Sequence, residues 1–370
     1  MRPIKVFIAL LLTVPIITGA SAQTNSDDAG HSVDTFIAHK MQMLKIPGIA
    51  IGIVKDGKLV KMTTYGKANL EWDAKVTEHT NFQIASSTKL LTSTLLVKAI
   101  YQGKIKLTDK VGQYIDSVPP QWSDLQIKHL ISHSSGIRNF YGDYYLPASA
   151  VVRALKDSTL EYAPGNGQHY SLFDFMLLGH ILEKIYQKSF PQLLHDEVTA
   201  PLGMNDGAFD MEDRVGSFLR TEIVPQKATT YYESNGKLVG YKYLYPQYSY
   251  TAGGYFASIR DMVNWAIGLD KETLFPKRFS YDLFYGRDSI RHELSDFTKA
   301  GWASADEGNF IIAGHSGGPG LGDVLRFPAY GYTFIVLSND GELLPGMARA
   351  IAHFYIKELP EKNEIEKFDR

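Results

Sequence analysis

The chain has 370 residues, 44% of them hydrophobic and 21% charged, a balance ordinary for one large globular domain or two interlocked ones. Its formal net charge of −2 argues against a nucleic-acid partner. It contains no cysteine, which excludes disulfides, a thiolate nucleophile, cysteine-ligated zinc and lipid attached to cysteine. In chain order, Arg2 and Lys5 precede the apolar run Val6 to Ile17, and Ala20-Ser21-Ala22 supplies small residues before Gln23. This is the pattern of a secretory signal peptide over residues 1–22, with an apolar run too short to span a bilayer of ~30 Å. Its removal takes two of the 38 basic residues, against 40 acidic, and leaves a net charge of −4. A periplasmic or secreted protein with no membrane span after signal cleavage is expected.

Apolar Ile49 to Val54, the turn Lys55-Asp56-Gly57-Lys58 and the run Leu59 to Tyr65 predict a β-hairpin. From about Ser87 to Leu182 the pattern turns helical. Leu90, Leu91, Leu95, Leu96 and Ile100 mark one helix, apolar on most faces as a buried helix is. Met176, Leu177, Ile181, Leu182 and Ile185 mark another, with Ser171 as its N-cap and Asp174 in its first turn. Strand-like runs return at Phe310 to Ala313, Asp323 to Phe327 and Tyr332 to Leu337, before a helix from near Pro345 to about Lys357. The order predicts an α+β fold, an antiparallel sheet flanked by N- and C-terminal helices with a helical subdomain inserted. The expected division is a discontinuous sheet domain, 23–88 and 235–358, a mainly helical subdomain, 89–234, and a charged tail, 359–370.

Chemistry concentrates at Phe82-Gln83-Ile84-Ala85-Ser86-Ser87-Thr88-Lys89. Ser86 stands where the buried helix begins, and Lys89, three residues on, shares its face. Backbone N–H groups of a first helical turn lack intrahelical partners and can face a developing oxyanion. A serine hydroxyl becomes a nucleophile when a neighbouring base takes its proton. Free lysine, with an ordinary pKa of ~10.4, needs burial or a second proton acceptor for that task. The competing reading makes Ser86 or Ser87 a simple N-cap and Lys89 a solvated helix residue. Ser234-Asn235-Gly236-Lys237 shares the Ser-x-x-Lys spacing, but its Asn-Gly marks a turn with no apolar helix behind it.

Together these residues resemble the serine β-lactamase and penicillin-binding protein family, particularly its class C and esterase-like branch, over roughly Pro47 to Asn339. Phe82 to Lys89 is similar to its nucleophile motif, and Leu130-Ile131-Ser132-His133-Ser134-Ser135-Gly136 to its recurrent L-L-x-H-T-S-G loop. Pro164-Gly165 before Tyr170-Ser171 resembles the segment of the second catalytic element. Pro201 to Met204, Ala252-Gly253-Gly254 and Gly301-Trp302 recur in order. Gly314-His315-Ser316-Gly317-Gly318 resembles the third element, K-T-G or H-x-G on a strand. The resemblance implies acyl-enzyme formation on Ser86, with Tyr170 as the proton-accepting partner of Lys89. It implies an oxyanion hole from the N–H groups of Ser86 and Gly318, and substrate contacts at His315, Ser316 and Gly317. His133 is expected to hold its loop together.

One position departs from the family. The tyrosine motif usually reads Y-x-N, and here Leu172 stands where the asparagine donates to a substrate amide carbonyl. Leucine has no donor, so a small-molecule ester is the expected substrate ahead of a β-lactam or a peptide. A β-lactamase, a D-Ala-D-Ala carboxypeptidase or D-amino-acid peptidase, and a slowly acylating binding module are the alternatives. Gly314 to Gly318 also fits the G-x-S-x-G elbow of α/β-hydrolases, with Asp340 and His353 following, but Pro319-Gly320 opposes the helix an elbow must open. His195-Asp196-Glu197 is not H-E-x-x-H, so neither metal nor cofactor is expected. Tyrosines crowd two stretches, Tyr141 to Tyr145 and Tyr241 to Tyr250, in a pattern that fits either a ligand wall or loop packing.

Overall fold

The computed structural model describes residues 21–143, 145–243, 245–307, 310–318, 321–362 and 365–367, with only the backbone for 21–27. Most of the expected signal peptide, residues 1–20, lies outside the described residues. The N-terminal helix α1 (Ser21–Leu44) leads into the hairpin β1 (Gly48–Lys55) and β2 (Lys58–Asn69), followed by the short β3 (Ala74–Lys75) and β4 (Phe82–Gln83). Asp56 and Gly57 take positive φ at the β1–β2 turn, as the Asp-Gly pair predicts. Helices α2 (Thr88–Tyr101), α3 (Ile127–Ile131), α4 (Ala148–Lys156), α5 (Leu172–Tyr186) and α6 (Phe190–Leu194) come next.

Short strands then interrupt the segment expected to be mainly helical: β5 (Ala208–Phe209), the hairpin β6 (Glu212–Val215) and β7 (Phe218–Thr221), and β8 (Thr230–Ser234), which pairs with β9 (Lys237–Tyr241). The β8–β9 turn is Asn235-Gly236, both at positive φ, so the second Ser-x-x-Lys match is a hairpin turn. β10 (Tyr255–Ala257) pairs with β4 and β5, and α7 (Ile259–Asp270) and α8 (Lys277–Tyr285) precede the C-terminal strands. These are β11 (Arg287–Ile290), β12 (Glu293–Thr298), β13 (Ala303–Glu307), β14 (Phe310–Gly317), β15 (Gly322–Phe327) and β16 (Tyr332–Ser338), ahead of α9 (Met347–Tyr355).

One nine-stranded sheet runs β11-β12-β13-β14-β15-β16-β1-β2-β3, every pairing antiparallel. Its strands come from both ends of the described chain, closed by β1 pairing β16 at Ile49–Ser338. Alternation along β1 sends Ile49, Ile51 and Ile53 to one core, shared with Val33 and Ile37 of α1 and Met347 and Ile351 of α9. Ala50 and Val54 face the other core, built with α2, α5 and α7. At Gly52 a Cβ would collide with Val263, so α7 lies directly on the sheet. Helix α2 is buried from Thr88 to Val97, which is why its sequence is apolar nearly all round. Within the expected charged tail, Leu359 and Ile365 are buried, and residues 365–367 lie against Leu343 and Leu344.

Candidate active site

The nucleophile candidate stands in a single 3₁₀ turn, Ala85–Ser87, that opens directly into α2. Ala85 takes a left-handed φ of 46°, uncommon for a residue with a Cβ. The turn is pinned against the sheet. Ser87 Oγ shares its one proton between the carbonyls of His315 (3.1 Å) and Gly322 (3.0 Å), and a Cβ on Gly317 would collide with the Ile84 carbonyl. No side chain caps α2 at Ser87. Ser86 itself is partly exposed, while Lys89 is 1% exposed, so the ammonium is not a solvated helix residue.

Lys89 Nζ donates to the Ala252 carbonyl at 2.8 Å and sits 4.8 Å from the ring centroid of Tyr170 and 5.3 Å from that of Phe175. Tyr170 lies just before α5, whose N-cap Ser171 accepts the Phe173 N–H at 3.2 Å. The Tyr170 ring is flanked by His133 (4.6 Å), Phe297 (6.1 Å) and His315 (6.1 Å), and it is 44% exposed, open to solvent.

His315 is buried. Its Nδ1–H donates to the Ser316 carbonyl at 2.8 Å, which leaves Nε2 as the bare lone-pair nitrogen, with no partner among the described residues. Burial, then the Lys89 charge, lowers its pKa to about 3. His315 therefore offers the site a neutral acceptor and no charge. Gly317 abuts the Ser86 turn, and exposed Gly318 follows β14 with open space where a Cβ would stand.

One expected substrate contact is placed differently. Ser316 is a correction: strand alternation turns its side chain away from His315 and Gly317, and its Oγ donates to Asp323 at 2.8 Å. Asp323 in turn accepts the N–H groups of Gly346 and Ala348 at the start of α9, on the opposite side of the sheet. Leu172 opens α5 and packs in part against the main core. The α/β-hydrolase reading also loses its geometry, since Ser316 lies within an antiparallel strand, Asp340 pairs with Lys367, and His353 Nδ1 donates to the Leu359 carbonyl.

His133 occupies a left-handed φ of 56°, and its Nδ1 accepts the Ser171 N–H at 3.2 Å, tying its loop to α5. It also underlies Tyr170, a contact its sequence gives no sign of. Asp174 stands in the first turn of α5, as expected, and is fully buried. It accepts from Ser135 Oγ at 2.5 Å and lies 3.3 Å from His133 Nδ1, and burial lifts its carboxyl well above the ordinary range. Neutral Asp174 is the form compatible with a His133 Nδ1 that accepts. Reading side chains also missed Ala252, because a backbone carbonyl carries no side-chain signature, and Phe297, which arrives from a distant strand. Among the described residues no three His, Asp or Glu side chains cluster to hold a metal, and no helix is long and apolar enough to cross a membrane.

Against known proteins, the Beta-lactamase family model matches residues 33–354. The chain belongs to that family. It is 28% identical over 194 residues to Protein flp of Staphylococcus aureus (strain MW2), covering 50% of this chain and 39% of the relative. A putative D-alanyl-D-alanine carboxypeptidase of Salmonella paratyphi A is 27% identical over 228 residues, 55% of this chain and 52% of the relative. The chain thus spans about half the length, or less, of these curated relatives. Two solved structures share the fold. The octameric penicillin-binding protein homologue from Pyrococcus abyssi has a TM-score of 0.71 at 24% identity, covering 89% of this chain and 77% of that one. The D-amino acid amidase from Ochrobactrum anthropi SV3 has a TM-score of 0.67 at 18% identity, covering 85% and 92%. The architecture is that of β-lactamase-family hydrolases.

Proposed function

We propose that this β-lactamase-family protein is an exported serine hydrolase that cleaves small esters through an acyl-enzyme on Ser86. The observation that carries the reading is the placement of the buried Lys89 ammonium over the Tyr170 ring, one helical turn beyond a partly exposed serine. Ser86 Oγ attacks the ester carbonyl carbon and gives its proton to Tyr170 acting as a phenolate, the form the neighbouring Lys89 ammonium favours, and Tyr170 passes it to the departing alkoxide. Water then attacks the acyl carbon, Tyr170 takes a water proton, and Ser86 leaves with it. The N–H groups of Ser86 and Gly318 hold the oxyanion in both steps. The division into a discontinuous sheet domain and an inserted subdomain, and a leader over residues 1–22, belong to the same proposal.

Two features favour esters over β-lactams and D-Ala-D-Ala peptides. Both of those substrates bear a carboxylate, and neutral His315 supplies no charge to meet it. Both also present an amide carbonyl, for which Leu172 has no donor. A buried polar group left unpaired costs roughly 1–3 kcal/mol, about 5–150-fold in rate. The carboxypeptidase named among the relatives, and the amidase sharing the fold, support the runner-up, a D-amino-acid peptidase or amidase. Measuring kcat/KM for short-chain p-nitrophenyl esters, nitrocefin and a D-Ala-D-Ala peptide separates them. Esters should lead by about tenfold or more, and Leu172→Asn should narrow the gap. Faster turnover of nitrocefin than of any ester would contradict the proposal.

A further inference from the structure

Between α5 and the Tyr245–Thr251 segment lies a cavity of about 630 Å³, a volume typical of small-molecule sites, whose lining includes none of Ser86, Lys89, Tyr170 and His315. One wall is a single face of α5, where Met176, Gly179, His180 and Glu183 follow at helical spacing. Facing them, the two tyrosine-rich stretches of the sequence converge, bringing Tyr145 together with Tyr245, Tyr248 and Tyr250. Carboxylates outnumber cations in this lining, with Asp143, Glu183, Glu212 and Asp213 against Arg214. Arg214 bonds Asp143 at 2.8 Å, while Asp213 and Glu212 are already paired with Arg220 and Lys242. Glu183 accepts the Phe190 N–H at 2.7 Å but has no cation within ion-pair range among the described residues. The aromatic wall already takes one cation, since the Arg214 guanidinium lies 4.6 Å from the Tyr145 ring centroid.

We infer that this cavity is a second binding site, for a small aromatic amine whose ring lies among the tyrosines and whose ammonium meets Glu183. Its back wall is tied to the catalytic lysine. Thr251 rests on α5 where a Cβ at Gly179 would collide with it, and its Oγ1 donates to the Phe175 carbonyl at 2.7 Å. Its own carbonyl accepts Thr92 Oγ1 at 2.8 Å, and the next carbonyl, of Ala252, receives Lys89. An occupant that shifts Thr251 therefore shifts the hydrogen bond from the Lys89 ammonium to the Ala252 carbonyl, and so alters turnover; this coupling rests on the proposed hydrolase reading.

The test is calorimetric titration of the full chain carrying Ser86→Ala with 2-phenylethylamine and with 2-phenylethanol. Saturable one-site binding of the amine is expected, about tenfold or more tighter than the alcohol and weakened about as much by Glu183→Gln, which keeps the acceptor for Phe190. Matching melting curves for the two proteins control for folding. In the wild type the amine should change ester kcat, and in Glu183→Gln it should not. No saturable amine binding, equal affinity for the alcohol, or affinity unchanged by Glu183→Gln would overturn the site. Purely competitive inhibition would assign the amine to the catalytic cleft and overturn it too. Amine binding with these specificities in a protein lacking ester turnover would keep the site and sink the hydrolase reading.

Discussion

Lys89 is the charged member of a buried group in which both neighbouring imidazoles are held neutral. Burial, with Lys89 adding to it, depresses His133 well below the ordinary histidine value and His315 to about 3. This has a thermodynamic consequence with a definite sign. In the unfolded chain His315 takes up a proton near pH 6.5, and in the folded protein only near pH 3. Its contribution to stability is therefore complete above pH 6.5 and is lost as the pH falls toward 3. Between pH 7 and pH 5 the loss is about 2 kcal/mol. Urea unfolding of wild type and His315→Gln at both pH values measures it. The wild type's stability relative to the variant should fall by about that amount at pH 5. A relative stability independent of pH would mean that His315 is not buried as a neutral ring.

Among the elements, the junction of the Ser86 turn with β14 is the most constrained. Gly317 is the residue that lets the strand approach the Ile84 carbonyl. Gly317→Ala should cost about 1–3 kcal/mol in unfolding free energy, as overpacking does, and should depress ester kcat by moving the turn. Unchanged stability and kcat would show that the contact does not position the turn. Periodicity alone made α2, α5, β1, β2 and β14 to β16 legible, because these elements bury continuous or alternating apolar faces. The strands of the two small hairpins β6–β7 and β8–β9 were hidden, since they are short and lack an alternating buried face, those of β6–β7 being almost wholly exposed. Ser316 was misplaced by reading Gly314 to Gly318 as one unit. The period of two along a strand puts His315 and Gly317 on one face and Ser316 on the other.

For the molecule as a whole, order along the chain conceals which strands meet, and β1 pairing β16 is a contact that local pattern cannot supply. The same holds at the C-terminus. Composition predicts a charged, solvated tail, yet Leu359 and Ile365 are buried and Lys367 pairs with the buried Asp340. Deleting residues 359–370 removes two buried apolar side chains, worth about 1.5–3 kcal/mol each, and takes from buried Asp340 its Lys367 cation. The melting temperature should drop by about 5 °C or more; an unaltered melt would return the segment to the status of a loose tail. The claim that unites site, fold and family is that Ser86 carries the acyl group. Incubation with a fluorophosphonate, followed by intact mass and peptide mapping, tests it most directly. A single adduct on Ser86, absent from Ser86→Ala together with ester turnover, is the predicted result. An adduct on another serine, or full turnover by Ser86→Ala, would contradict it.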